Sequence, residues 1–179
     1  MAMTCLCVGP KNSGKTMLMT SIQYPGSVNF TTHSVNTVGT NIYTINFTPV
    51  PNENRPTRKN QKRSITVREL GGEMAVMWKN YYAETVDKII FVVDTSNLCQ
   101  ISCAGVLLYS ILVEPKLQKA KICLVLTKMD YAYRQMRNEA LLMLQIEKLK
   151  KQVSQDITII EASAITMEGV DKIIEWLFN

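Results

Sequence analysis

Apolar and polar positions follow two kinds of pattern along this chain. Continuous apolar runs, of which residues 89–93 and 122–126 are the clearest, are typical of strands buried on both faces of a parallel sheet. The apolar segments together predict six strands, at 3–8, 40–47, 64–70, 88–93, 121–126 and 157–161. Stretches with a helical repeat predict helices at 15–23, 74–82, 97–113, 134–153 and 169–177. This alternation predicts an α/β fold, with helices on both faces of a mostly parallel sheet.

One predicted strand has a different pattern. In residues 40–47, the side chains of Tyr43, Ile45 and Phe47 fall on one face and those of residues 42, 44 and 46 on the other. A strand with this alternation is typical of a sheet edge, and we expect it to pair antiparallel with 64–70. The 179 residues contain no repeat and no composition break, so we expect a single domain over 1–179.

A phosphate-binding motif follows the first predicted strand. Residues 9–16 read Gly-Pro-Lys-Asn-Ser-Gly-Lys-Thr, which is the complete motif, and a predicted helix follows it. Backbone N–H groups of such a loop surround phosphates, and the helix N-terminus adds partial positive charge. We expect Lys15 to reach the terminal phosphates of a nucleoside triphosphate and the Thr16 hydroxyl to bind Mg²⁺. The candidate nucleotide contacts in this segment are Lys11, Asn12, Ser13, Gly14, Lys15, Thr16 and Met17.

Polar and glycine-containing segments follow the other predicted strands as well. They are residues 68–73, 94–97, 127–130 and 162–164. Ligands of open parallel sheets bind beyond the carboxyl ends of the strands. We therefore expect these segments to surround the nucleotide together with the phosphate loop.

Composition and charge exclude several other classes of protein. The net charge of +5 is concentrated in residues 49–63, where five basic residues accompany one acid. No aromatic residue interleaves with these charges, so we expect a solvated loop and no nucleic-acid binding. Four or five of the five cysteines fall in predicted core strands or a core helix, so we expect buried, reduced thiols of a cytoplasmic protein. His33 is the only histidine, so no catalytic dyad can be built on it.

Two further motifs indicate which base is bound. Residues 127–130 read Thr-Lys-Met-Asp and resemble the Asn-Lys-x-Asp element of Ras-like GTPases. An aspartate there, Asp130, would accept hydrogen bonds from N1–H and the exocyclic amine of guanine, groups that adenine does not offer in that geometry. Lys128 would lay its apolar stem along the base. Ser163 and Ala164 resemble the last guanine-binding element, in which the alanine N–H meets the base O6.

Several segments resemble one branch of the Ras superfamily. Residues 37–41 resemble the Thr-x-Gly-x-Asn switch I of ADP-ribosylation factor (Arf) and Arf-like GTPases. Gly71-Gly72 followed by the Trp-Lys-Asn-Tyr-Tyr of 78–82 resembles their switch II, and 91–97 is similar to their Phe-Val-Val-Asp-Ser segment. The chain thus resembles a divergent Arf-like small GTPase. This implies a P-loop NTPase fold of the Ras-like type, with six strands, one of them an antiparallel edge strand.

The resemblance also implies a function. GTP or GDP would be bound with Mg²⁺, and Thr16, Thr37 and Glu69 (in the outer shell) would hold the metal. The γ-phosphate would order Thr37 and the Gly72 N–H, and effectors would bind the two switches in that state. The implied role is in membrane or ciliary traffic. The protein would be a cytoplasmic monomer, and its partners would recruit it to membranes or to the cilium base. The exchange factor and the activating protein are not identified by the sequence.

Four residues depart from the family pattern. Glu73 replaces the glutamine that orients the attacking water, so hydrolysis is expected to be slow or absent; Glu73 and Lys15 are the catalytic candidates. Glu69 replaces an aspartate and is one methylene longer. Lys11, where the family has a small or acidic residue, either approaches the γ-phosphate or faces solvent. Thr127 replaces an asparagine and offers fewer hydrogen bonds.

Neither end of the chain carries a motif for lipid attachment. Ala2 stands where Arf proteins have a myristoylated glycine, and the last residues contain no cysteine for prenylation, so no direct lipid anchor is expected.

Two alternative functions remain open. The first alternative is a catalytically inert GTP-binding scaffold. The second, a phosphotransferase, would need an arginine-rich lid and a second substrate site.

Overall fold

The computed structural model describes residues 4–47, 63–82, 86–132 and 134–179. Its sheet has six strands in the order β2-β3-β1-β4-β5-β6. The strands are β1 Thr4–Val8, β2 Thr40–Phe47, β3 Arg63–Leu70, β4 Lys88–Asp94, β5 Lys121–Thr127 and β6 Ile157–Glu161. The edge strand β2 pairs antiparallel with β3, and all other pairs are parallel. The predicted fold class is therefore confirmed.

In the part of the chain that the structure describes, five α-helices accompany the sheet. They are α1 Lys15–Gln23, α2 Ile101–Leu112, α3 Arg134–Met143, α4 Ile146–Gln152 and α5 Val170–Phe178. Residues predicted as a short helix after β3 form the 3₁₀ helix Gly72–Tyr81, and α2 begins after the 3₁₀ turn Leu98–Gln100. No helix among the described residues is long and apolar enough to cross a membrane. The basic residues 49–62 lie outside the described part of the chain.

The apolar runs are continuous because the core has two layers. All seven residues of β4 are buried. Ile89, Phe91 and Val93 pack into one layer with residues of α2, while Ile90 and Val92 pack into the other with residues of α1 and α5. Because β4 is covered on both faces, its central residues 89–93 are apolar at consecutive positions, without the alternation seen in β2.

The prediction of one helix over 134–153 is wrong. The helix ends at Met143, and Gln145, with φ of 52°, separates it from α4. Leu144 and Ile146 are both buried against the same core layer. A continuous helix would direct residues two apart about 200° away from each other. The break lets both side chains reach the core, and this requirement overrides the amphipathic pattern.

The cysteines divide into two groups, which corrects the expectation that four or five of them are buried. Cys5, Cys7 and Cys123 lie in the core strands, but Cys99 and Cys103 are exposed at the start of α2. Burial raises the pKa of the Cys5 and Cys7 thiols and raises that of Cys123 to about 12. Only a thiolate reacts readily with disulfide reagents. Burial and the raised pKa therefore both slow the reaction of Cys5, Cys7 and Cys123.

This division predicts the stoichiometry of thiol modification. A disulfide reagent such as Ellman's should modify two thiols of the native protein quickly and all five after denaturation. Peptide mapping by mass spectrometry should find the fast label on Cys99 and Cys103. Fast labelling of Cys5, Cys7 or Cys123 in the native protein would contradict the described core.

Candidate nucleotide site

The phosphate loop lies between β1 and α1, and two of its glycines occupy positions that a residue with a side chain could not adopt without strain. A Cβ atom on Gly9 would lie 2.2 Å from the carbonyl oxygen of Val92, so the loop can pass β4 only with glycine at this point. Gly14, with φ of 87°, turns the chain into α1. The first turn of α1 then directs its free N–H groups toward the loop, which is an arrangement that favours anions.

Lys15 is held at the centre of this loop. Its side chain is buried, and its ammonium donates hydrogen bonds to the carbonyl oxygens of Gly9 (3.0 Å) and Pro10 (2.7 Å). Burial lowers the pKa of Lys15, while the nearby Cys7 and Glu69 act in the opposite direction. The loop therefore presents a positive charge among backbone groups, within a largely dehydrated environment.

Three chain segments line a cavity in front of the loop. The phosphate loop contributes Lys11, Asn12, Gly14, Lys15 and Thr16, the segment before β2 contributes residues 34–37, and the segment after β3 contributes Gly72 and Glu73. Ser13 and Met17 do not line the cavity: the Ser13 side chain is buried, and Met17 lies half-buried in the first turn of α1.

A buried carboxylate joins the segments at one side of this cavity. Glu69 is fully buried, and its Oε1 accepts hydrogen bonds from the hydroxyls of Thr16 (2.6 Å) and Thr37 (3.2 Å). The two hydroxyls lie 3.1 Å apart. Among the described residues, no group of three or more His, Cys, Asp or Glu side chains is placed to bind a metal. Any metal here would therefore depend on hydroxyl oxygens beside this one carboxylate.

The other oxygen of Glu69 is bound by β2. Asn41 Nδ2 and Tyr43 OH each donate to Oε2 at 3.1 Å, because Asn41 stands opposite Glu69 in the β2–β3 register and Tyr43 lies on the inner face of β2. Burial, followed by the charge of Glu69, raises the pKa of Tyr43 to about 12. Sequence reasoning did not identify Tyr43 as a site residue. The inward alternation of β2 was the available signal.

The two predicted switch segments touch each other and the phosphate loop. Gly71 donates its N–H to the carbonyl oxygen of Gly39 at 3.0 Å, and Trp78 Nε1 donates to the Gly71 carbonyl at 3.0 Å. A Cβ on Gly71 would lie 2.4 Å from the Thr37 oxygen, and one on Gly72 would lie 2.3 Å from the Lys11 nitrogen. The two glycines thus permit close packing of backbone on backbone at this point.

The residues predicted to bind the base lie at the ends of β5 and β6. Ser163 Oγ donates to Asp130 Oδ1 at 2.6 Å, and it accepts from the N–H groups of residues 165 and 166. Lys128 pairs with Asp94, with 2.6 Å between Nζ and Oδ2. Ala164 is half-buried beside Ser163. The Asp94 partner was not predicted as a site residue, although its segment had been noted.

Thr127 contacts the phosphate loop and the neighbouring strand. Its side chain is buried, and its hydroxyl donates to the carbonyl oxygens of Ser13 (2.7 Å) and Val93 (3.0 Å). The hydroxyl therefore braces the phosphate loop against β4 and β5. In this structure it is a supporting residue of the loop.

Comparisons with known proteins agree with these motifs. The ADP-ribosylation factor family matches residues 1–179. The chain is 28% identical to human ADP-ribosylation factor-like protein 16, over 97% of this chain and 83% of the relative. It is 31% identical to ADP-ribosylation factor-like protein 1 of Drosophila melanogaster, over 99% of this chain and 88% of that relative.

A solved structure shares the fold. The Arl6 BBS3 small GTPase from Trypanosoma brucei, with bound nucleotide analogue GppNp, has a TM-score of 0.76 and 21% identity, over 99% of this chain and 96% of that chain. This likeness shows that the two chains have the same overall fold. Because the family match extends over every position of the sequence, the chain belongs to the ADP-ribosylation factor family.

Proposed function

We propose that this protein is a guanine-nucleotide switch that binds GTP or GDP in the cavity before the phosphate loop. Membership of the ADP-ribosylation factor family supports a GTP-binding switch. The observation that carries the proposal is the convergence of the phosphate loop, residues 34–37 and Gly72 on that one cavity. A terminal phosphate there would lie within reach of both switch segments, so its presence or loss would bias their conformation.

The phosphate groups would be bound by the loop and by Lys15. The backbone N–H groups of residues 11–17 and the N-terminus of α1 supply partial positive charge. The Lys15 ammonium would exchange its bonds to the Gly9 and Pro10 carbonyls for phosphate oxygens. The Gly72 N–H would donate to the γ-phosphate.

Mg²⁺ is the metal that such a nucleotide implies, and the oxygens of Thr16, Thr37 and Glu69 suit it. The Thr16 hydroxyl lies 2.6 Å from Glu69 Oε1 and 3.1 Å from the Thr37 hydroxyl, which is itself 3.2 Å from Glu69 Oε1. Neighbouring ligands of an octahedral ion are about 3 Å apart when each metal–oxygen distance is about 2.1 Å. The two threonines and Glu69, directly or through a water, would hold the ion, which supplies charge neutralisation at the phosphates.

The two switch segments also present a surface that suits effectors. Val35 and Val38 are 88% and 91% exposed before β2, and Val76 is 89% exposed after β3. Exposed apolar side chains on segments that respond to the ligand favour partner binding in one state of the switch. We propose that effectors bind here, and that the protein acts as a monomer in membrane or ciliary traffic.

Hydrolysis is proposed to be slow. Glu73 forms an ion pair with Lys11, and a carboxylate lacks the N–H that a glutamine would donate. This favours, as a second candidate function, an inert GTP-bound scaffold. Single-turnover hydrolysis by the purified protein separates the two: a measurable rate supports the switch, and none over the lifetime of the complex supports the scaffold.

The base assignment gives the test of nucleotide specificity. Asp130→Asn should lower GTP affinity by about a hundredfold, since the guanine N1–H and amine lose their acceptor, and should raise affinity for xanthosine triphosphate. Asp171→Asn, an exposed carboxylate on α5, is the matched control. Isothermal titration with both nucleotides and ATP measures the outcome. Unchanged GTP affinity in Asp130→Asn, or equal affinity of the wild type for ATP, would refute the assignment.

A further inference from the structure

Lys11 and Glu73 form an ion pair at the mouth of the phosphate cavity. Lys11 is the third residue of the phosphate loop, and Glu73 is the second residue of the 3₁₀ helix that follows β3. Their side chains are 45% and 54% exposed, so both remain accessible to a ligand. The pair connects the part of the site that binds phosphate to the part that is expected to move.

The backbone holds this pair in place. Gly72, directly before Glu73, lies so close to the loop that an added Cβ would be 2.3 Å from the Lys11 nitrogen and 2.7 Å from its Cα. The Gly71 N–H is bonded to Gly39, and the Gly71 carbonyl accepts the Trp78 indole N–H. Two long side chains on a surface would pair only transiently. Here, backbone packing fixes the starting points of both.

The charges around the cavity are unusual for a site that would bind a triphosphate. Of its described lining residues, Lys11 and Lys15 are cationic and Glu73 is the one carboxylate. Lys15 is bonded to loop carbonyls, whereas Lys11 is bonded to the carboxylate. A terminal phosphate entering this space would meet a cation already neutralised by an anion of the protein.

We propose that Lys11 is the residue that distinguishes GTP from GDP, by exchanging Glu73 for the γ-phosphate. This inference rests on the proposed nucleotide-binding function. With GDP, the Lys11–Glu73 pair is kept. With GTP, the ammonium binds the γ-phosphate. The Glu73 carboxylate, now facing a like charge, is displaced together with residues 73–81 of the 3₁₀ helix, while Gly72 stays packed on the loop.

This exchange differs from a purely structural role in the sign of its effects. If the pair only braced the loop, removing either partner would have the same consequence. If the two anions compete for one cation, removal of Lys11 weakens GTP binding relative to GDP, and removal of the Glu73 charge strengthens it. The ligand can shift the switch only by this difference in affinity.

The experiment measures dissociation constants for GDP and for a non-hydrolysable GTP analogue by titration. Selectivity is the GDP constant divided by the analogue constant. Lys11→Met should lower the selectivity about tenfold, and Glu73→Gln should raise it by a similar factor. Lys172→Met and Glu175→Gln, which remove exposed charges on α5, should leave it unchanged.

A second readout follows the displaced helix. The chain has two tryptophans, and in a Trp176→Phe background Trp78 reports on the 3₁₀ helix alone. The analogue should change Trp78 emission relative to GDP. Both Lys11→Met and Glu73→Gln should reduce that change, because either substitution removes the charge exchange.

The outcomes separate this inference from the proposed function. If the wild type binds neither nucleotide, the proposed function fails and the inference fails with it. If it binds both, but the two variants shift selectivity in the same direction or not at all, the exchange is refuted and the nucleotide site stands. Opposite shifts with reduced Trp78 response support the exchange.

Discussion

Lys15→Met should lower affinity for GTP and GDP by at least about a hundredfold. The Lys15 ammonium is buried at the centre of the phosphate loop, where charge–charge interactions are much stronger than in water. The methionine keeps the length and apolar packing of the side chain but removes the charge. In the variant, the carbonyl oxygens of Gly9 and Pro10 lose the hydrogen bonds that Lys15 donates, and they would then face phosphate oxygens.

Isothermal titration calorimetry measures this loss, with circular dichroism to verify the fold. Without nucleotide, the Tm should fall only modestly, because the methionine keeps the apolar packing while the Gly9 and Pro10 carbonyl oxygens lose one donor. Lys172→Met serves as the exposed control for loss of one positive charge. Wild-type affinity in Lys15→Met, with the protein folded, would show that the loop does not bind the phosphates.

The fold could be predicted from the sequence because local and global patterns agree. The continuous apolar runs 89–93 of β4 and 122–126 of β5 could lie only between two helical layers, and the alternation in β2 could fit only an edge. The helix break at Gln145 could not be predicted in this way. It arises from the shape of the core, which places Leu144 and Ile146 together, and the local sequence remained helical in pattern.

Only part of the candidate site could be predicted from the sequence. The residue types of the phosphate loop and the spacing of the switch motifs indicate which segments converge, since each follows a strand end. They do not indicate which side chains bond to one another. The Thr127 bond to Ser13, the Asp94–Lys128 pair and the Lys11–Glu73 pair join residues 34 or more positions apart, and each depends on how neighbouring strands end.

Glu69→Ala should destabilise the protein by about 3 kcal/mol, which corresponds to a fall of about 6–12 °C in Tm for a chain of this size. Four donors, from Thr16, Thr37, Asn41 and Tyr43, would lose a buried acceptor at once. Exposed Glu175→Ala on α5 controls for loss of a carboxylate. Calorimetric unfolding of the nucleotide-free proteins measures the difference.

Glu69→Asp refines this prediction, because it keeps the charge and shortens the reach. The carboxylate would withdraw by about one carbon–carbon bond, so that it could not bond Thr16 and Asn41 at the same time without help from water. We expect a Tm between those of the wild type and Glu69→Ala, and faster hydrogen exchange in residues 37–41. Equal stability of all three proteins would mean that β2 and the phosphate loop are held together by backbone packing, and that the hydrogen bonds of Glu69 contribute nothing to it.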